Sequence, residues 1–226
     1  MSAWGGENLS SSGKKKAKRS KTWFQIYAAD VFPGQWLGET LASDQDSLIG
    51  RNVEVSVRDI TGDFAHEKYK LVFKIFRVDG SKSYARFVKE LLNRDYLRSI
   101  IQRRTSRIDV MSEGITKDGH HVRVFYLITT AVRVRHSQET AIRLRAKQYL
   151  DELIPQLSLE ELVRSSIFED PAKINTNIQG LSTKIAPVKN IEPRKIVVLR
   201  FGEALPEVVR GEVESRSVSS GKGEEA

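Results

Sequence analysis

The chain has 226 residues, no cysteine and a formal net charge of +8, with 39% hydrophobic and 29% charged residues. That length and apolar content can build a substantial core, and the lack of cysteine excludes a disulfide framework and any thiolate metal or nucleophile chemistry. No stretch approaches the ~18 uninterrupted apolar residues of a membrane helix, and the N-terminus lacks the apolar run of a signal peptide, so a soluble, cytoplasmic protein with no membrane partner is expected.

The charge is segregated. Lys14, Lys15, Lys16, Lys18, Arg19 and Lys21 fall within eight positions that hold no acid. From Arg98 to Lys147 there are eleven basic residues against four acidic ones, so the rest of the chain is acidic on balance. A basic field held in two segments points to a polyanion, because such a field attracts phosphates and releases their counterions.

Residues 1–20 are rich in Gly, Ser and Lys, lack apolar periodicity and read as a disordered basic arm. Trp23 to Val31 is a first strand, closed by Pro33-Gly34, and Trp36 to Leu41 a short second one. Arg51 to Arg58 alternates Val53, Val55 and Val57 with polar residues, as a half-buried strand does. Tyr69 to Val78 and Lys82 to Val88 flank Asp79-Gly80, a hairpin turn. A helix near 93–104 comes next, with Asn93 as N-cap and Arg103, Arg104 and Arg107 crowding its end.

Arg107 to Thr116 and His120 to Val132 form the next hairpin, and the second of these strands runs through Arg133-Val134-Arg135-His136 into a basic helix. Ser137 is its expected N-cap, Ile142, Ala146 and Leu150 its inward stripe, and Arg143, Arg145 and Lys147 its cations. Ser158 and Glu161 make a capping box for another helix, Pro171 can open one more, and residues 151–184 hold six acids against three bases, a protein-contact or packing surface. Arg194 to Phe201 is a last strand. The expected class is α+β, an antiparallel β-barrel core with several added α-helices and flexible termini. Its parts are the arm 1–20, a core 21–134 with the inserted helix, a helical region 135–186, a returning strand 187–201 and an acidic tail 202–226.

The sequence contains no GxGxxG, P-loop or HExxH, and no metal or cofactor is expected. His120 and His121 are adjacent, so on a strand they face opposite ways and cannot jointly ligate one ion. Asp59, Asp63, His66 and Glu67 resemble a loop that could hold Mg²⁺ or run acid-base chemistry, but no spacing rule specifies it and a polar loop between strands is the preferred account. Trp23, Phe24, Tyr69, Phe73, Phe125 and Tyr126 could stack bases, but alternation along strands assigns most of them to the core.

Four passages then carry a family resemblance. These are Lys21-Thr22-Trp23-Phe24 through Gly38-Glu39-Thr40-Leu41, Gly50-Arg51 through Val53-Glu54-Val55-Ser56 to Asp59, Thr116-Lys117-Asp118-Gly119 through Arg123 and Phe125, and Ser137-Gln138 through Ile142-Arg143 to Lys147. In this order they resemble the archaeal and eukaryotic small-subunit ribosomal protein family S-one-e, also called S-three-a-e, from about Lys21 to Gly202. Asn52 stands where an aliphatic is usual, and Ala29-Asp30 where Ala-Pro is expected. The resemblance implies a structural ribosomal protein on the platform near the messenger exit. Its implied partners are small-subunit ribosomal RNA, neighbouring small-subunit proteins and, further out, messenger RNA or initiation factors, and its implied source is archaeal.

The leading expectation is thus a non-catalytic RNA-binding constituent of the small subunit. Its phosphate contacts are expected at Arg98, Arg103, Arg104, Arg107, Arg133, Arg135, Arg143, Arg145 and Lys147, with the arm's lysines, Arg19 and Lys21 beside them. The alternatives are an RNA-processing enzyme using the 59–67 segment and a protein-interaction adaptor using the acidic helices.

Overall fold

The computed structural model describes residues 20–202. The arm and the acidic tail expected from the sequence lie outside them, apart from Ser20 and Gly202. Eight strands and five α-helices occur in the order β1 (Thr22–Ala28), β2 (Trp36–Ala42), β3 (Asn52–Ser56), α1 (Val57–Thr61), β4 (Tyr69–Asp79), β5 (Lys82–Leu92), α2 (Arg94–Ile100), β6 (Arg107–Ile115), β7 (His121–Thr130), α3 (His136–Leu153), α4 (Leu159–Phe168), α5 (Ile174–Thr183) and β8 (Val188–Arg200). The α+β class is as expected. The sheet, however, is open and not the closed barrel anticipated from hairpin spacing.

The reason lies in β5. One of its edges pairs with β4 from end to end; the other is shared, with Lys82 to Ala85 running parallel to β1 and Lys89 to Leu91 antiparallel to β8. The sheet therefore forks in the order β2-β1-β5-β8-β7-β6, with β4 and β3 branching from β5. A parallel pair between segments this far apart in sequence leaves no hairpin signal.

On β7, Val122, Val124, Tyr126 and Ile128 are fully buried, and Ile142, Ala146 and Leu150 of α3 complete the same core. Side-chain alternation puts these strand residues on one face, and the three-and-four spacing does the same for the helix. Helix α3 packs on β6, and the single 3-10 turn after it (Ile154–Gln156) comes so close that a Cβ on Gly114 would lie 3.0 Å from Ile154 Cγ2. Gly202 is equally confined, since a Cβ there would meet the Asp118 carbonyl oxygen at 2.8 Å.

Local signals explain most element ends. Asn93 caps α2 by accepting from the Asp95 N–H, and Ser158 and Glu161 form the expected reciprocal box on α4. Helix α3 begins two residues earlier than Ser137 as N-cap predicts, with Arg135 in that place, because the Gln138 side chain accepts the Arg135 N–H at 3.1 Å and so satisfies the chain at that point. The 59–67 segment is not an open loop: it holds α1 and a 3-10 turn (Phe64–His66) capped by Asp63. The two departures from the family pattern are accommodated locally. Asn52 is exposed at the start of β3, and Asp30 lies 3.5 Å from Arg86.

Two acids are buried where β8 meets β5 and β4. Glu192 accepts from Lys68 Nζ at 2.7 Å, Tyr69 OH at 2.5 Å and Tyr96 OH at 2.9 Å, which anchors α2 and the start of β4 to β8. Glu90 is wholly buried, and its carboxyl is pushed up to about 8 by burial, with Ser166 opposing and Glu192 reinforcing the shift. The geometry agrees with a protonated acid. Ser166 Oγ lies 2.8 Å from Glu90 Oε2 and 2.7 Å from the Val163 carbonyl. One hydroxyl proton serves only one of these acceptors at a time, so a carboxylate at Glu90 leaves one contact unserved, whereas a protonated acid satisfies both by donating to Ser166 Oγ while the hydroxyl donates to Val163.

An unfolded Glu90 loses its proton near the ordinary 4.5 and the folded one near 8, so this residue's contribution to stability falls as pH rises through that window. Glu90→Gln should therefore leave urea stability nearly unchanged at pH 5 and raise it by on the order of a few kcal/mol at pH 8. Equal effects at both pH values would show that Glu90 folds as a carboxylate.

Candidate nucleic-acid interface

The basic stretch around α3 acquires its geometry from a lock between two segments that the sequence does not visibly relate. The Ser106 N–H donates to Thr130 Oγ1 at 2.9 Å, and the Thr130 N–H donates back to the Ser106 carbonyl at 3.0 Å. The Val134 N–H then donates to Ser106 Oγ at 3.2 Å, while the Thr130 hydroxyl reaches the Val132 carbonyl at 2.6 Å. The 101–107 turn and the 130–135 exit of β7 are thereby fastened side by side.

This lock brings Arg103, Arg104, Arg133 and Arg135 to one end of the sheet. All four are exposed, and among the described residues none forms an ion pair. Arg104 takes a left-handed turn (φ +65°), which lets the chain reverse before β6. Arg107, at the start of β6, pairs with Asp109 at 2.9 Å, and Arg143 of α3 donates from Nε to the Asp109 carbonyl at 3.2 Å. Lys147 comes one turn later, about 40° round the helix from Arg143.

The other expected cations are placed differently. Arg145 projects about 160° away from both Arg143 and Lys147, on the opposite flank of α3. Arg98 is on the exposed side of α2 and lies 3.8 Å from Asp95. Lys21 precedes β1, four strand spacings from β6, or about 19 Å across the sheet. Lys14, Lys15, Lys16, Lys18 and Arg19 lie outside the described residues.

The structure adds two residues that carry no mark in the sequence. Arg194 of β8 reaches Asp109 Oδ1 at 3.4 Å, so two guanidinium groups share one carboxylate while Arg143 holds the carbonyl of the same residue, and the cluster stays positive. Lys189 donates to Gln102 Oε1 at 2.8 Å, tying β8 to the turn that carries Arg103 and Arg104. Both precede or open the part of β8 that reads as a strand, and only the pairing of β8 with β7 brings them to the rim.

The candidate catalytic set does not assemble. Asp63 commits Oδ1 to the Ala65 N–H, His66 Nε2 lies 3.7 Å from Asp63 Oδ2 with its ring against Phe168, and Asp59 is exposed on α1. His120 is buried and accepts the Gly202 N–H at Nδ1, whereas His121 faces Glu113 at 3.1 Å on the other side. No group of three His, Cys, Asp or Glu suited to a metal occurs among the described residues. Of the aromatics, Phe24, Tyr69, Phe73 and Tyr126 are core, while Trp23 is 61% exposed and Phe125 half-buried.

A rigid sheet that presents excess arginines at one rim, with its acids and histidines engaged in caps and pairs, defines a binding scaffold. Comparison with known proteins gives the particular family. Residues 10–201 match the Ribosomal S3Ae family, and the chain belongs to it. It is 36% identical over 202 residues to the small ribosomal subunit protein eS1 of Methanococcus vannielii, covering 88% of this chain and 90% of that one. Its identity to the eS1 of Staphylothermus marinus is 36% over 179 residues, covering 79% and 83%, and to that of Methanopyrus kandleri 35% over 189 residues, covering 83% and 90%. It is therefore a structural constituent of the small ribosomal subunit and not an enzyme, with archaeal kin.

Thr130→Val removes the acceptor for the buried Ser106 N–H and should cost about 1–3 kcal/mol in denaturant unfolding. Thr130→Ser, which keeps the hydroxyl, should recover most of that loss. Equal destabilisation by both would assign the effect to packing of the methyl group and not to the lock.

Proposed function

We propose that the rim formed by Arg103, Arg104, Arg107, Arg133, Arg135, Arg143, Arg194 and Lys147 is a phosphate-binding surface for small-subunit ribosomal RNA. The observation that carries this reading is the Ser106–Thr130 lock, which holds arginines from two segments together without carboxylates enough to neutralise them. Helical RNA hides its major-groove edges, so the rim recognises the placement of phosphates and not base sequence. Lys14, Lys15, Lys16, Lys18, Arg19 and Lys21 extend the contact along the arm, and Arg98 and Arg145 meet other RNA segments or neighbours. The acidic 151–184 helices face neighbouring small-subunit proteins. The platform near the messenger exit, contacts with messenger RNA or initiation factors, and residence in the cytoplasm rest on the family resemblance.

If about five rim cations act together, binding to a folded ribosomal RNA fragment falls with salt at a log-log slope of about −3 to −4. Replacing Arg104, Arg133 and Arg135 together by alanine should make that slope shallower by about 2 and weaken co-sedimentation with small subunits. Alanine at Asp59, Asp63 and His66 should leave RNA affinity within about twofold, as expected of residues outside the contact. An unchanged slope in the arginine variant would refute the rim.

A further inference from the structure

A second surface stands on residues the rim does not use. Strand registers place Met111, Phe125, Lys195, Leu91 and Lys70 in one row across β6, β7, β8, β5 and β4. The next row holds Glu113, Arg123, Val197, Lys89 and Val72. Both rows lie on the face opposite the core, since their strand neighbours Val110, Val124, Tyr126, Ile196 and Leu71 are buried in it. Met111 is 49% exposed, whereas Phe125 is half-buried and Val72 only 4% exposed, so on the accessible part of this face apolar and aromatic groups alternate with cations.

The charges on this face are uneven. Glu113 is occupied by Arg123 at 2.8 Å and His121 at 3.1 Å, and Glu54 of β3 by Lys70 at 3.3 Å. The side chains of Lys89 and Lys195, in the middle of the face, form no ion pair or hydrogen bond with any described residue. Glu113, the one acid in the two rows, and Glu54 beside them are thus committed, while the ammonium groups of Lys89 and Lys195 near Phe125 and Leu91 are free.

We infer that this face binds an unpaired RNA strand, with Phe125 stacking on a base and Lys89 and Lys195 meeting its phosphates. A duplex has its base faces already stacked and cannot offer one to Phe125, whereas a single strand supplies both an exposed base and a phosphate run. An acidic protein segment would satisfy the lysines but has no use for an aromatic ring set between them. The two rows are one strand period apart, about 7 Å, which lets a ring in one row and a lysine in the other be reached together.

The full chain should be titrated with fluorescent twelve-nucleotide oligouridylate and, separately, with a sixteen-base-pair RNA duplex. Phe125→Ala should weaken the single strand about tenfold and the duplex less than twofold, because the loss is of stacking and not of charge. Phe125→Tyr should retain binding. Lys89→Gln with Lys195→Gln keeps the side-chain stems, so folding is preserved, and should make the single-strand salt slope shallower by about 1.4. Equal losses for strand and duplex, or full displacement of the oligonucleotide by polyglutamate at matched charge, would overturn the proposal, as would an unchanged slope in the lysine pair variant. The rim variant at Arg104, Arg133 and Arg135 should show the reverse pattern, losing duplex first, so failure of either surface can be told from failure of the other.

Discussion

Strand β7 is paired along both edges, with β6 from His121 to Thr129 and with β8 from His121 to Thr130, and this double pairing is the constraint on which the rest depends. A strand held on both sides has no freedom to twist or slip without breaking two ladders and moving every side chain to the wrong face. Its far end therefore leaves the sheet at a fixed point and in a fixed direction. The segment directly after it, Arg133 to Arg135 and then α3, inherits that direction. Cationic side chains are long and flexible, and they become a surface only because the backbone beneath them is anchored this firmly.

The hydroxyls of Ser106 and Thr130 carry that order outward beyond the ladder. They are 24 residues apart, and together they satisfy the backbone groups of a turn that would otherwise be left bare at the sheet's end. Unpaired buried N–H groups are costly, so the lock is favoured for the fold's own sake. The proposed interface is its by-product, which ties the stability of the domain to the spacing of its arginines.

Much of this is legible in the sequence, for identifiable reasons. The apolar run of β7, the alternation of Val53 and Val55, the Asp79-Gly80 turn and the Ser158–Glu161 box are local signals, each set by neighbours within a few residues. The same local signals suggest a closed barrel and mislead there, because closure depends on which edges meet and β5 divides one of its edges between β1 and β8. Arg133 and Arg135 are visible as cations; their neighbours Arg103 and Arg104 can be placed beside them only through Ser106 and Thr130, two ordinary residues with no periodicity to mark them. Arg194 escapes for a similar reason, since it sits at an irregularity in the β7–β8 register where alternation no longer tells which face a residue takes. Buried Glu90 is invisible because a single acid in a mixed strand looks like any solvated one.

The cations divide into two physical kinds, and the division bears on how such a surface meets RNA. Arg107, Arg143 and Arg194 are held around Asp109, and Arg123 is held by Glu113. Their rotamer freedom is already reduced in the free protein, so docking them orders little more, yet a phosphate must share them with a carboxylate or, for Arg143, with a backbone carbonyl. Arg104, Arg133, Arg135, Lys89 and Lys195 have no such partner among the described residues; they lose more freedom on docking and keep their full charge for the phosphate. A surface with both kinds has a few fixed points that set register and several adaptable ones that supply most of the counterion release. Asp109, the lone acid amid three arginines, is on this view a positioning group, and its removal would loosen the register of the rim even as it raised the net positive charge.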